Sequence, residues 1–194
     1  MCQKAVARLV TTSIVAVLMM MPAPAALATP VVDQSHTTTL PTSSLSAAIN
    51  EGCKYMAQTF TAGITGTLTG VNLSIDSNPG APPMRVAIRA VLNGVPYGAP
   101  LSVRYLFNPE APLSRLITFP QQILVVAGGS YAIVVSYKGS LGHGWGWWDG
   151  STGDLYLRGR NISGECPSYS TPRFWYWWPK SFDLHFRTYV EPAP

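Results

Sequence analysis

The chain has few charged residues, few histidines and few cysteines. Only 11% of its 194 residues are charged, with 13 Lys or Arg against 9 Asp or Glu. The basic residues are scattered and form no run that would grip phosphates, so we expect no nucleic-acid partner. There are only three histidines, and neither an H-E-x-x-H nor a G-x-S-x-G motif occurs. These absences argue against a zinc protease or a serine hydrolase.

Two glutamates, Glu110 and Glu165, are the remaining candidates for acid–base catalysis. A glycoside hydrolase needs one carboxylic acid and one carboxylate held at a set distance. Each of these glutamates lies in a loop-like context near proline, and nothing in the sequence distinguishes an acid from a base. The sequence therefore favours a protein that is not an enzyme, and a cryptic hydrolase is the alternative.

Residues 1–28 have the pattern of a signal peptide. Lys4 and Arg8 precede an apolar run at residues 9–21, which is too short to span a bilayer. Ala26-Leu27-Ala28 has small residues at the positions that signal peptidase requires, so we expect cleavage after Ala28. An uncleaved anchor helix is the alternative. We predict a secreted, extracellular protein, because a signal peptide directs export and no second apolar run is long enough to cross a membrane.

Cleavage after Ala28 would remove two of the 13 basic residues and none of the 9 acidic ones, leaving a net charge of +2. It would also remove Cys2 and leave Cys53 and Cys166. An even number of cysteines in an exported chain indicates a disulfide. The bond would close a loop of 113 residues (166 minus 53) and contribute about 4–5 kcal/mol in the chain-entropy model. Two free buried thiols are the alternative.

Apolar and polar residues alternate from residue 55 onward, as they do in half-buried strands. Residues 71–75 place Val71, Leu73 and Ile75 on one face, while Asn93-Gly94 and Gly128-Gly129 indicate tight turns. We count about ten short strands, including expected strands at 145–148, 154–157 and 173–177. The pattern predicts an all-β fold, an antiparallel β-sandwich of jelly-roll type.

The segment before the alternating pattern is rich in Thr, Ser and Pro. We expect residues 29–50 to form an extended or loosely held arm, with a short helical turn at residues 46–53. The predicted organisation is a signal peptide at 1–28, the arm at 29–50 and a β-sandwich domain at 51–191.

Three segments together resemble a group of secreted bacterial β-sandwich modules. The segments are Gln-Thr-Phe-Thr-Ala-Gly-Ile-Thr-Gly-Thr-Leu-Thr-Gly-Val at 58–71, Gly-Ser-Tyr-Ala-Ile-Val at 129–134 and Asp-Leu-His-Phe-Arg-Thr-Tyr-Val at 183–190. They are similar to the opening, later and closing strands of those modules, over about residues 55–190. The resemblance implies a galactose-binding-like or carbohydrate-binding-like jelly roll, a fold that is often attached to exported enzymes or surface proteins.

All six tryptophans lie in two short runs between residues 145 and 178. Aromatic rings can stack on the apolar face of a sugar, and neighbouring polar side chains can bond its hydroxyls. We therefore predict a binding site for a glycan or cell-envelope ligand. Its residues would be Trp145, Trp147, Trp148, Asp149, Asp154, Arg158, Arg160, Trp175, Tyr176 and Trp177. The alternative is a structural or protein-interaction domain whose tryptophans fill the core.

We expect no bound metal, no cofactor and a monomeric protein. Asp149 and Asp154 flank a glycine-rich stretch with oxygen ligands of the kind that calcium prefers. The stretch lacks the spacing of a known calcium loop. Structural calcium is therefore the alternative to a metal-free segment.

Overall fold

A computed structural model describes residues 28–37, 44–50, 54–77, 81–107, 114–137, 145–165 and 176–194. Within these ranges the regular structure is entirely β, and no helix is long and apolar enough to cross a membrane. The strands are β1 (Val31–His36), β2 (Ser44–Asn50), β3 (Lys54–Thr61), β4 (Gly66–Leu73), β5 (Ile75–Ser77), β6 (Met84–Leu92), β7 (Val95–Leu106), β8 (Arg115–Val125), β9 (Ser130–Tyr137), β10 (Trp145–Thr152), β11 (Asn161–Glu165), β12 (Tyr176–Pro179), β13 (Phe182–Leu184) and β14 (Phe186–Pro192).

The strands form three antiparallel sheets. A six-stranded sheet has the order β12-β11-β3-β9-β6-β7, and a four-stranded sheet has the order β1-β14-β4-β8. A third, smaller sheet has the order β13-β10-β2, and β5 also pairs with β10. The predicted antiparallel β-sandwich is thus confirmed, whereas the jelly-roll connectivity stays a prediction.

The small sheet is continuous in sequence with the four-stranded sheet. β4 leads into β5 at Ser74, and β13 leads into β14 at His185. Both junctions meet the backbone of Asp149, whose N–H donates to the Ser74 carbonyl at 2.9 Å and whose carbonyl accepts from the His185 N–H at 2.7 Å. Strand β10 therefore joins two strands where they leave the four-stranded sheet.

The main core lies between the six-stranded sheet and the other two sheets. The alternation of β3 places Met56 and Phe60 in this core, and that of β4 places Leu68, Val71 and Leu73 there. Strand pairing provides hydrogen-bond partners for the backbone N–H and C=O groups, while these side chains are removed from contact with water. Each large aliphatic or aromatic side chain contributes about 1.5–3 kcal/mol by its burial.

A second apolar cluster covers the opposite face of the six-stranded sheet. It consists of Ala57, Ala132, Val134 and Ile162, and all four are at most 1% exposed. Partly buried side chains pack against it, among them Tyr55, Val91 and Trp177. We call this side of the sheet the outer face. On the outer face, the larger, partly buried side chains cover the small buried ones.

A buried polar junction connects β3 of the six-stranded sheet to β13 of the small sheet. The Gln58 amide donates from Nε2 to Asp183 Oδ1 at 3.1 Å and accepts at Oε1 from the Leu184 N–H at 2.8 Å. The second oxygen of Asp183 accepts from the Tyr156 N–H at 2.8 Å. Gln58 and Asp183 are both 0% exposed. These bonds stabilise the folded state, because a buried polar group that has lost its hydration and has no hydrogen-bond partner destabilises it.

The ring of Tyr156 extends this junction to the first strand. Its hydroxyl donates to Gln34 Oε1 at 2.8 Å, and its ring meets that of Phe186 edge-on at 5.0 Å between centroids. Burial raises the pKa of Tyr156 well above its ordinary value, with the nearby carboxylates of Asp33 and Asp183 acting in the same direction. The hydroxyl is therefore a neutral donor at any physiological pH.

Both expected tight turns are confirmed. Asn93 and Gly94 have φ values of 52° and 77°, the pair of positive angles that a two-residue hairpin turn requires. Gly128 has a φ of 83° in the turn before β9.

The segment 29–50 contributes β1, which pairs with β14, and β2, which pairs with β10. Two local expectations differ from the structure. The helical turn at 46–53 is wrong as far as residue 50, because residues 46–50 pair with residues 145–149 of β10; residues 51–53 lie outside the described residues. The strand at 154–157 is also wrong, because the Tyr156 backbone bonds the Asp183 side chain in place of a neighbouring strand.

We predict that Asp183→Ala lowers the free energy of unfolding by about 2–4 kcal/mol. The substitution takes the acceptor away from two buried donors, the Gln58 amide and the Tyr156 N–H. Urea denaturation measures the loss. Arg187→Ala, at an exposed position four residues along, is the control and changes stability by no more than about 0.5 kcal/mol. Equal effects of the two substitutions would contradict the role given to the junction.

Candidate functional site

The two tryptophan runs belong to different sheets. Residues 145–152 form β10 of the small sheet, whereas residues 176–179 form β12 at one edge of the six-stranded sheet. The predicted single platform is therefore divided between a strand with neighbours on both sides and an edge strand. The two runs have to be considered separately.

Trp148 is a core residue, and its assignment to a ligand site is wrong. Its side chain is 0% exposed, and its indole N–H donates to the His185 carbonyl at 2.8 Å. A ring that is sealed on all sides cannot meet a surface ligand. It stabilises the fold, and its truncation to alanine would cost about 3–5 kcal/mol.

The neighbours of Trp148 also take part in the fold. Asp149 accepts a hydrogen bond from the Ser74 hydroxyl at 2.6 Å, so its carboxylate holds the β4–β5 junction. Trp147 alternates to the other side of β10 from Trp148, as the period of a strand requires, and is half-buried. For Trp145 the structure gives only the strand register, opposite Asn50. The two described rings of this run, Trp147 and Trp148, offer a ligand little accessible aromatic surface.

The edge strand β12 presents two exposed aromatic rings. Tyr176 is 56% exposed and Trp178 is 43% exposed. Their ring centroids are 6.2 Å apart and their planes are within 26° of parallel. The two side chains lie on the same side of the strand because they are two residues apart. We call this pair the aromatic edge.

Trp177, between these two residues, lies on the outer face. Its indole packs against the second apolar cluster. A Cβ atom on Gly164, its register partner in β11, would lie 2.6 Å from Trp177 Cζ3. The ring therefore lies directly over Gly164, and a side chain at that position would displace it. Trp177 is half-buried, so it both covers the cluster and keeps part of its surface in water.

Arg158 and Arg160 are brought together on a loop that runs along β3. Thr59 Oγ1 donates to the Arg160 carbonyl at 3.2 Å and accepts from the Arg160 N–H at 2.8 Å. Thr61 Oγ1 donates to the Arg158 carbonyl at 3.0 Å. Both arginine side chains are exposed, as is Asp154 earlier in the same loop.

A shallow pocket of about 230 Å³ lies beside this loop. The lining residues are Thr59, Phe60, Thr61, Val91, Gly94, Ser130, Leu157, Arg158, Gly159 and Arg160. Val91 also packs against the apolar cluster that Trp177 covers. The pocket therefore adjoins the outer face, while the exposed rings of Tyr176 and Trp178 lie on the other side of the edge strand.

Trp178 is not among the site residues that the sequence predicts. The signal that identifies it is the alternation of a strand, since Tyr176 and Trp178 share one side and Trp177 takes the other. Which side would be covered depends on where the second sheet ends, and that is a property of the whole fold. Trp175, Cys53 and Cys166 lie outside the described residues.

One buried contact has the composition of a catalytic pair. His36 Nε2 lies 2.7 Å from Ser151 Oγ, the geometry of a base and a hydroxyl nucleophile. Ser151 is 2% exposed and His36 is 6% exposed, so the hydroxyl is not accessible to a substrate in this structure. The carboxylate near His36 is that of Asp183, and both of its oxygens bond other groups, so it does not orient the imidazole. The contact is a buried hydrogen bond between β1 and β10. Burial lowers the pKa of His36 and of the neighbouring His185.

The described residues contain no cluster of three or more His, Cys, Asp or Glu side chains that could hold a metal ion. Of the two carboxylates considered for calcium, Asp149 is bonded to Ser74 and Asp154 is exposed on the following loop.

Comparison of the chain with protein families, with curated proteins and with solved structures found no match.

Proposed function

We propose that the protein is a secreted, non-catalytic module that binds a glycan, such as one of the cell envelope, through the aromatic edge on β12. The observation that carries this proposal is the near-parallel pair of Tyr176 and Trp178, each with about half of its surface in water. The fold has no need of this exposure, since β12 is held by its backbone pairing with β11 and by Trp177 on the other side of the strand.

Aromatic rings of this kind have the properties that sugar recognition needs. A tyrosine or tryptophan ring offers a flat apolar face together with a polar O–H or N–H. Exposed apolar side chains that adjoin one another, unlike single scattered ones, are typical of interaction sites. Because the two rings are attached to a paired strand, their spacing is set before a ligand arrives, which reduces the entropy lost on binding.

We propose that the protein is exported, on the basis of the signal-peptide pattern of residues 1–28. Export would bring the aromatic edge into contact with extracellular glycans.

We also propose the Cys53–Cys166 disulfide. β3 pairs with β11 without a shift in register, from Gln58 opposite Asn161 to Lys54 opposite Glu165. Cys53 and Cys166 are the next residues in each direction. Partners in an antiparallel pair have the Cα separation that a disulfide requires.

We predict that Tyr176→Ala and Trp178→Ala each weaken binding to a soluble polysaccharide by about tenfold or more. Loss of an aromatic anchor removes both contact area and the oriented face of the ring. Affinity electrophoresis in gels that contain neutral and acidic polysaccharides, together with envelope glycan fragments, measures the effect.

The control is Tyr97→Ala, which removes a 59% exposed tyrosine from β7 at the other edge of the same sheet. This variant should bind as the parent protein does. A parent protein that no glycan retards, or retardation that is equal in all four proteins, would refute the proposal.

We predict that the exported protein carries no free thiol and that its mass rises by about 2 Da on reduction, as expected for a single disulfide between Cys53 and Cys166. Mass spectrometry of alkylated protein, with and without reductant, measures this. Peptide mapping should place Cys53 and Cys166 in one cross-linked fragment. Two alkylated cysteines in the unreduced protein would show that the bond is absent.

A further inference from the structure

The charged residues that line the pocket beside residues 158–160 are all positive. None of its lining residues carries a carboxylate, while two of them, Arg158 and Arg160, are arginines with exposed side chains. The rest of the lining is hydroxyl, glycine or apolar surface. In a protein with a formal excess of only four positive charges, two arginines at one small pocket form a local concentration of positive charge.

The two arginines do not contribute equally. Asp33 Oδ1 and Arg158 Nη1 both lie beside Gly63, at 2.9 Å and 3.6 Å from the position that a Cβ on that glycine would occupy. The Asp33 carboxylate therefore offsets part of the charge of Arg158. No described contact places a carboxylate beside Arg160, so Arg160 is the arginine whose charge is more available to a ligand.

The loop that carries the arginines is fixed to the sheet. Besides the bonds from Thr59 and Thr61, the Thr59 N–H donates to the Arg160 carbonyl at 2.9 Å. Gly159 lies so close to the Thr59 carbonyl that a side chain at this position would collide with the backbone of β3. The backbone under both guanidinium groups is therefore held before any ligand binds, which is the arrangement that favours a specific contact over a diffuse one.

We propose that this pocket is a second binding site, distinct from the aromatic edge, for the oxyanion of an acidic sugar. A guanidinium binds a carboxylate or a phosphate through two parallel N–H bonds. The hydroxyl of Ser130 and the backbone of the 158–160 loop flank the place where the rest of the sugar would lie. The two sources of the oxyanion, a uronic acid and a sugar phosphate, share this chemistry.

The test is titration of the full secreted protein with galacturonic acid, with glucose 6-phosphate and with neutral galactose, followed by NMR of the backbone amides. We expect at least one acidic sugar to shift the Gly159 and Arg160 amides, with an affinity that falls when salt is added. Galactose should leave these amides unchanged. Response to galacturonic acid alone identifies a carboxylate ligand, and response to glucose 6-phosphate alone identifies a phosphate ligand.

The matched variants are Arg160→Gln and Arg187→Gln, which each remove one exposed positive charge. Loss of a charge-assisted bond should weaken the binding by about tenfold in Arg160→Gln and leave it unchanged in Arg187→Gln. Equal weakening in both variants, equal shifts with galactose, or no shift with either acidic sugar would overturn the proposal. Because the readout is at residues 159 and 160, the result is independent of binding at Tyr176 and Trp178.

Discussion

The hydrogen bonds among Gln58, Asp183 and Tyr156 are the constraint on which the arrangement of this protein depends. Asp183 is a carboxylate with no exposure to solvent, and its two oxygens accept from different parts of the chain. One donor is on β3 of the six-stranded sheet and the other is in the loop after β10. A carboxylate in this position favours this meeting of the sheets, because a shift that broke these bonds and kept the group buried would leave it without partners.

The same bonds connect the fold to the proposed binding surfaces. Tyr156 begins the short stretch that carries Arg158 and Arg160, and its N–H and hydroxyl hold the start of that stretch to Asp183 and Gln34. Thr59 and Thr61 hold its other end to β3. The same stretch runs directly into strand β11, which pairs with the same side of β3 and supports β12 and its exposed rings. Rigid scaffolding beneath exposed side chains is the general design of a preorganised site.

Much of the fold follows from the pattern of single residues, whereas the site follows only in part. Alternation places Phe60 and Leu68 in the core, and Asn93-Gly94 specifies a turn by its backbone angles alone. By contrast, the same alternation assigns Trp147 and Trp148 to opposite sides without saying which side is sealed. Exposure of Tyr176 and Trp178 depends on the extent of the opposing sheet, and the position of Arg160 depends on its bonds to Thr59, 101 residues away in the chain. Such long-range contacts leave no local signal in the sequence.

Hydrogen exchange at the amides of Tyr156 and Leu184 tests the central role of the junction most directly. Both N–H groups donate to buried side-chain oxygens, so they should exchange only when the whole domain unfolds, as slowly as amides in the middle of β9. Exchange of these two amides at the rate of an exposed loop, while β9 stays protected, would show that the junction opens on its own and that the sandwich is held together by its apolar core alone.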